Sequence, residues 1–527
     1  MRCENYCRHP VLCAVPRNAH WSKNLRPRFP NRTMLGFGTC WLPASNRALL
    51  GPCSRRSFTV SSASFAKAAP SKDGKKKVKQ GFKLKSDPKA KKVKKGGMTH
   101  LTFRDAVRAL NFEKLAVDFS KLEIGTLNFE KLNDLKDKVV KYSDAAESSL
   151  TQLDTFKKYQ HHEMFSKPVS MVSDNTMNLE NTFMSKLEQE TKTNRMCLVG
   201  EKGVGKSLLV AQAQALALSK FNGDVVLLHL DYPEKVIEGS SDYIFNKRLG
   251  LYQQPMFTKR WIKKLRAANE TVLRKLPLTR DSSFVAKKVE YNLKKGENTL
   301  YDFLVYNHDF GKVGPSTAFQ FFVEELMHHS AQFPILVTID NFNALTYDTY
   351  TQYRHPDFTR IHFTEFEMGS FLLKLASGDL SFKKGGILMA ESKDISYSHT
   401  LPVALNQEQY DPYWKTNQCD RKVAESLLLN GGITPFEVQT LNKDQTRELM
   451  EFWEAAGVLQ VRDYPSKPDH RTSEEIIKER EERLASEIVD SAPEEDAEQQ
   501  FERIVNTHYV MSSGNPGHLV RAVNISY

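Results

Sequence analysis

Residues Gly200-Glu201-Lys202-Gly203-Val204-Gly205-Lys206-Ser207 fit the pattern G-x-x-x-x-G-K-[ST] without a mismatch. No other stretch restricts the fold of this chain as tightly. Such a loop works where a strand ends and a helix begins, because backbone N–H groups at a helix start converge on an anion. The flanks supply both elements: an apolar run at Met196 to Val199 precedes the loop, and a Leu/Ala/Gln-rich run from Leu208 to Lys220 follows it. Glycines let the backbone amides face phosphates, the Lys206 ammonium reaches the β- and γ-phosphates, and the Ser207 hydroxyl can ligate Mg²⁺. Gly200, Gly203, Val204, Gly205, Lys206, Ser207 and Leu208 are therefore the candidate nucleotide-binding residues. The expected ligand is ATP or GTP, or the diphosphate, with Mg²⁺. A loop kept for structural reasons alone is the alternative.

Further short apolar runs at Val225 to Leu230, Ile335 to Ile339 and Gly386 to Ala390 alternate with helical text. That pattern predicts an α/β fold with a parallel sheet flanked by helices. Asp340, at the end of Ile335-Leu336-Val337-Thr338-Ile339, is the candidate second metal-side residue beside Ser207; a strand-end Asp that caps the next element is the other reading. Asn341 follows it, where many fast ATPases carry a glutamate, which predicts slow or absent hydrolysis and no catalytic residue. Ser392, just past its strand, and Arg521, in a helical segment near the C-terminus, are weaker candidates for the γ-phosphate end of the pocket. No guanine-reading N-K-x-D motif is evident, so the base is open.

The formal charge of +12 is unevenly distributed. Residues 1–66 carry nine Arg and one Lys against Glu4 alone, and residues 67–97 carry thirteen Lys against Asp73 and Asp87, so the rest of the chain is mildly acidic. Residues 1–58 read as a mitochondrial presequence, Arg-rich and without the apolar run of a secretory signal, with cleavage near Phe58. Residues 59–97 read as a disordered Lys-rich arm, suited to RNA phosphates or to a plain linker. Five of the seven cysteines fall in the presequence, leaving Cys197 and Cys419, which excludes a disulfide framework or zinc site. No apolar stretch is long enough for a membrane-spanning helix.

Residues 98–190 read as a helical N-terminal extension, with a loop at 173–176 and a helix from Leu179 to Glu190. The nucleotide-binding domain is expected over 191–434. Its long insertion at 231–334 includes Lys259-Arg260-Trp261-Ile262-Lys263-Lys264, which fits either an RNA contact or a solvated helix face. Residues 435–527 read as a helical C-terminal domain with an acidic insertion, in which 474–503 forms an exposed helix broken at Pro493.

The loop at 200–207 with its helix, Phe165-Ser166-Lys167-Pro168, the run ILVTIDNFNAL at 335–345, and Gly514-Asn515-Pro516-Gly517-His518-Leu519-Val520-Arg521 together resemble the death-associated protein 3 family, the P-loop protein of the mitochondrial ribosomal small subunit. The resemblance covers roughly residues 100–527. It implies an AAA-like P-loop NTPase fold, a helical C-terminal domain, a bound purine nucleotide and a structural place in the small subunit's head. The implied partners are mitochondrial small-subunit rRNA and neighbouring mitoribosomal proteins, with no homo-oligomer, in the mitochondrial matrix. Two other functions fit the residues: a matrix P-loop NTPase that remodels RNA or protein, and an RNA-binding assembly factor.

Overall fold

The computed structural model describes residues 122, 124–157, 160, 162, 165, 167–286, 289–306, 316–459 and 497–525. All of them fall in one compact unit, Lys94–Tyr527. The presequence, the Lys-rich arm and residues 474–496 of the acidic run lie outside the described residues.

Eight strands matter to the site. A small sheet holds β1 (Gly125–Thr126), β2 (Val139–Lys141) and β3 (Val169–Met171). A larger one holds β4 (Arg195–Val199), β5 (Val226–Leu230), β6 (Ile335–Ile339), β7 (Gly385–Ala390) and β8 (Thr434–Glu437), in the order β8-β4-β7-β6-β5. Every pair in the larger sheet is parallel. β4, β5, β6 and β7 are buried at every position, because parallel strands covered on both faces read as continuous apolar runs. Gly385 has φ 140°, and a Cβ there would lie 1.9 Å from the Ile335 carbonyl oxygen. Only glycine lets β7 enter the sheet beside β6.

The described helices that frame the site are α1 (Asp144–Gln152), α2 (Asp174–Thr182), α3 (Lys206–Lys220), α4 (Pro255–Ala268), α5 (Lys443–Ala455), α6 (Ala497–Ser512) and α7 (Pro516–Ile525). α3 is buried on nearly all sides, as a central helix must be. Its two glutamines are satisfied by the segments around it: Gln214 Nε2 donates to Thr338 Oγ1 at 2.6 Å while its Oε1 accepts from Thr155 Oγ1 at 2.9 Å. Gln212 Nε2 donates to the Met171 carbonyl at 2.7 Å and Oε1 accepts from Thr176 Oγ1 at 2.8 Å. Buried amides paired in this way fix the N-terminal segment on the core.

Four expectations change. The 98–190 region is not purely helical, since β1, β2 and β3 lie within it; these strands are too short to show a clear alternation in sequence. The Ser/Asp/Asn/Thr cluster at 173–176 starts α2 instead of forming a loop: Ser173 and Thr176 make a reciprocal capping box, the other use of those side chains. The helix expected over Leu179 to Glu190 ends at Thr182, with a 3₁₀ turn at Met184–Lys186. β8 crosses the boundary drawn at residue 434, so the sheet continues into the region read as helical. Beyond it, α5, α6 and α7 are helical and share a hydrophobic cluster with the small sheet, in which Val139 and Val169 meet Met450, Trp453 and Val505.

The 231–334 insertion contains two β-hairpins, Ile244–Asn246 with Leu251–Gln253 and Ser282–Ala286 with Val289–Leu293, together with helices that include α4. Trp261 on α4 is buried, with its indole Nε1 donating to the His229 carbonyl at 2.7 Å. It is a core residue and not an RNA platform. Lys259, Arg260 and Lys263 are exposed on the same helix, as either an RNA contact or a solvated face requires.

Candidate functional site

β4 ends at Val199 and α3 begins at Lys206, so the glycine loop occupies the strand-to-helix turn that its spacing required. Gly200, Gly203 and Gly205 take φ values of 141°, 86° and 108°, a region that side chains with a Cβ rarely enter. α3 has no acidic residue in its first turn, which leaves the positive end of its dipole uncompensated at the loop. Lys206 Nζ folds back over that loop, donating to the carbonyls of Gly200 at 2.7 Å and Glu201 at 2.6 Å. Burial lowers its pKa from the ordinary lysine value, and the Glu391 carboxylate opposes that shift.

Gly203, Val204, Gly205, Lys206, Ser207 and Leu208 line a cavity of about 360 Å³, and Ser392 and Arg521 line the same cavity from β7's loop and from α7. Gly200 faces a neighbouring cavity on the β8 side. Asp340 stands behind Ser207, whose Oγ donates to Asp340 Oδ1 at 3.2 Å. The same oxygen accepts from the Asn341 amide at 3.0 Å. Ser392 is held through its backbone: its N–H donates to Asn343 Oδ1 at 2.9 Å and its carbonyl accepts from Asn343 Nδ2 at 2.7 Å. Residues far apart in sequence thus converge at the carboxyl ends of β4, β6 and β7, the place where open parallel sheets bind ligands.

Three features had no visible signal in the sequence. Lys157, just beyond α1, is a buried cation 3.5 Å from Asp340 Oδ2. It donates to the Asp231 carbonyl at 2.8 Å and lies 3.9 Å from the centroid of the Tyr232 ring. In sequence it is one charge among many near a helix end. Glu391, at the end of β7, lines the cavity beside Ser392. Glu234, just past β5, accepts from Asn341 Nδ2 at 2.8 Å; burial raises its pKa above the ordinary glutamate value, against the bonds from its own backbone and from Asn341.

The C-terminal helices close the loop from outside. Asn515 Nδ2 donates to the Lys202 carbonyl at 2.9 Å, and the Gly517 amide donates to the Gly203 carbonyl at 3.0 Å. Apolar side chains from the small sheet and from these helices, among them Val169, Met171, Trp453 and Val520, complete the cavity wall. A polar end at the glycine loop and an apolar end therefore adjoin in one space, the usual composition of a small-molecule site.

A family described as mitochondrial ribosomal death-associated protein 3 matches residues 170–522, well over half of the chain. The chain belongs to this family. Among relatives, it is 26% identical over 334 residues to the small ribosomal subunit protein mS29 of Neurospora crassa, covering 60% of this chain and 66% of that protein. It is 27% identical over 288 residues to the protein of the same name from Schizosaccharomyces pombe, covering 54% of this chain and 57% of that one. The chain thus spans just under two thirds of the length of the first relative and 57% of the second. Within the death-associated protein 3 match fall the glycine loop, Asp340, Ser392 and Arg521, whereas Lys157 lies before it. Among the described residues no helix is long and apolar enough to cross a membrane.

Proposed function

We propose that this chain is a structural component of the mitochondrial small ribosomal subunit that carries a purine nucleotide, ATP, GTP or the diphosphate, at a P-loop formed by residues 200–207. Membership in a family whose relatives are named small ribosomal subunit proteins supports the ribosomal part. The observation that carries the nucleotide part is the meeting of Lys206, Ser207 and Asp340 at the end of a parallel sheet. The sheet and its flanking helices are compatible with an AAA-like P-loop architecture.

The residues fit the ligand. Amides freed by the left-handed glycines would receive phosphate oxygens, Lys206 would exchange two loop carbonyls for the β- and γ-phosphates, and Ser207 with Asp340 would hold Mg²⁺. Ser392 and Arg521 would face the γ-phosphate end. Nucleotide of this kind stabilises by mass action: a ligand at 100 times its Kd adds about 2.7 kcal/mol to folding. A loop can serve a ribosomal protein in that way without turnover, and Asn341 after Asp340 agrees with slow or absent hydrolysis.

The working place is the mitochondrial matrix, and the partners are small-subunit rRNA and adjacent mitoribosomal proteins. Sucrose-gradient sedimentation of mitochondrial lysate tests this, with nucleotide extracted from the fractions that contain the chain. Stoichiometric comigration with the small subunit at high salt, with nucleotide present, is the expected result. Migration as a free protein or homo-oligomer would favour a matrix NTPase, and loss from the subunit at high salt would favour an assembly factor.

A further inference from the structure

Asn341 occupies the position where a water-activating carboxylate would follow Asp340, yet a carboxylate reaches the same place from the adjacent strand. β5 and β6 are parallel, with Leu230 opposite Ile339, so the chain leaving each strand emerges at the same end of the sheet. Glu234 leaves β5 and meets Asn341 leaving β6, where Asn341 Nδ2 donates to Glu234 Oε1 at 2.8 Å. The second oxygen, Glu234 Oε2, is buried and has no hydrogen-bond partner among the described residues. Native proteins rarely leave a buried carboxylate oxygen unmatched, and such groups call for a functional account. Asn341 itself lines the cavity at the glycine loop, whereas Glu234, bonded to its side-chain amide, does not. Its backbone is left-handed, with φ 54°, a conformation asparagine tolerates better than most residues.

We propose that Glu234 is a latent water-activating carboxylate of this site and that the Asn341 amide restrains it, so that a bound nucleoside triphosphate is held instead of turned over. The inference rests on the nucleotide reading above. The reaction is hydrolysis: a water oxygen forms a bond to the γ-phosphorus, and the bond from that phosphorus to the β,γ-bridging oxygen breaks. Glu234 Oε2 takes the water proton and returns it to the released phosphate. Products are the nucleoside diphosphate and inorganic phosphate, with no further reactant. With Asn341 in place, its amide occupies the ground that the attacking water would need and holds one carboxylate oxygen. Removing it opens that ground and frees the carboxylate oxygen that the amide holds.

The test uses the full chain with Asn341→Gly, which suits the left-handed backbone, and Asn341→Ser as a second variant in case the first folds poorly. Three quantities are read: the ratio of triphosphate to diphosphate in copurified nucleotide, single-turnover phosphate release from labelled ATP and GTP, and retention of a non-hydrolysable triphosphate analogue. The wild type should retain mainly triphosphate. Either opened variant should release phosphate at least 10-fold faster and carry mainly diphosphate, and adding Glu234→Gln should remove the gain while analogue retention persists. If the opened variants retain the analogue but hydrolyse no faster, or if the gain survives Glu234→Gln, the latent carboxylate is overturned and nucleotide binding stands. A wild-type chain that retains neither nucleotide nor analogue overturns both.

Discussion

The Gly203 carbonyl accepts a hydrogen bond from the Gly517 amide at 3.0 Å, joining the apex of the glycine loop to the first turn of the last described helix. The approach leaves no room for a side chain on either residue. A Cβ on Gly517 would lie 2.8 Å from Gly203 Cα, and one on Gly203 would lie 2.8 Å from Asn515 Oδ1. α7 therefore works as a strap over the loop, and the site depends on two segments that lie 313 residues apart at Lys202 and Asn515.

Gly517→Ala should destabilise the protein by roughly 1–3 kcal/mol, the usual range for an overpacked contact, and should loosen the loop. Differential scanning fluorimetry with and without added nucleotide checks both effects. A variant with unchanged melting and unchanged ligand response would show that the strap contact is dispensable.

Lys206→Ala removes the cation bonded to Gly200 and Glu201 without touching the sheet. Circular dichroism should stay native while copurified nucleotide disappears. Unchanged nucleotide content in the purified variant would sink the assignment of residues 200–207 as a phosphate-binding loop.

Lys157→Met would leave Asp340 buried without its cation. Breaking a buried pair from one side costs on the order of 3 kcal/mol, more than removing both charges. The double variant with Asp340→Asn should therefore be more stable than Lys157→Met alone, as urea midpoints will report. Equal midpoints would show that the 3.5 Å pair contributes little.

Glu367 sits in a mostly buried position where both carboxylate oxygens accept from Gln253 Nε2 at 3.0 Å. Burial raises its pKa from the ordinary 4.5 to about 7, against the Gln253 bond. The fold thus favours the protonated form: its contribution is full below pH 4.5, is lost as pH rises to 7, and stays absent above. The loss amounts to roughly 3 kcal/mol at most. Glu367→Gln should flatten that part of the stability profile, which chemical denaturation at several pH values can measure.

Deleting residues 67–97, with their thirteen lysines, should weaken RNA association most at low salt, because each phosphate contact adds about 0.7–0.9 to the slope of log K against log salt. Filter binding of the deletion and the full chain to structured RNA across a salt series checks it. Parallel slopes would make the segment a linker.

The sequence determined the elements with strong local causes. Apolar runs of these lengths can be buried only as covered parallel strands or in a helix: the four short ones appear as β4, β5, β6 and β7, and the longer Leu/Ala/Gln-rich run appears as α3. The glycine loop followed from the same logic, since its glycines permit backbone angles that other residues resist. Asp340 was legible because it ends such a run. Tertiary structure alone decided the strand order, the place of β8 at the sheet edge, and the strap from Asn515 and Gly517. It also decided that Lys157 faces Asp340 and that Glu234 meets Asn341. These contacts join residues whose side chains have no local pattern of their own, and a charge beside a helix or strand end reads the same whether it faces water or a buried partner. Which it faces is settled by how the strands are ordered and what packs over their ends, and that depends on the whole chain at once.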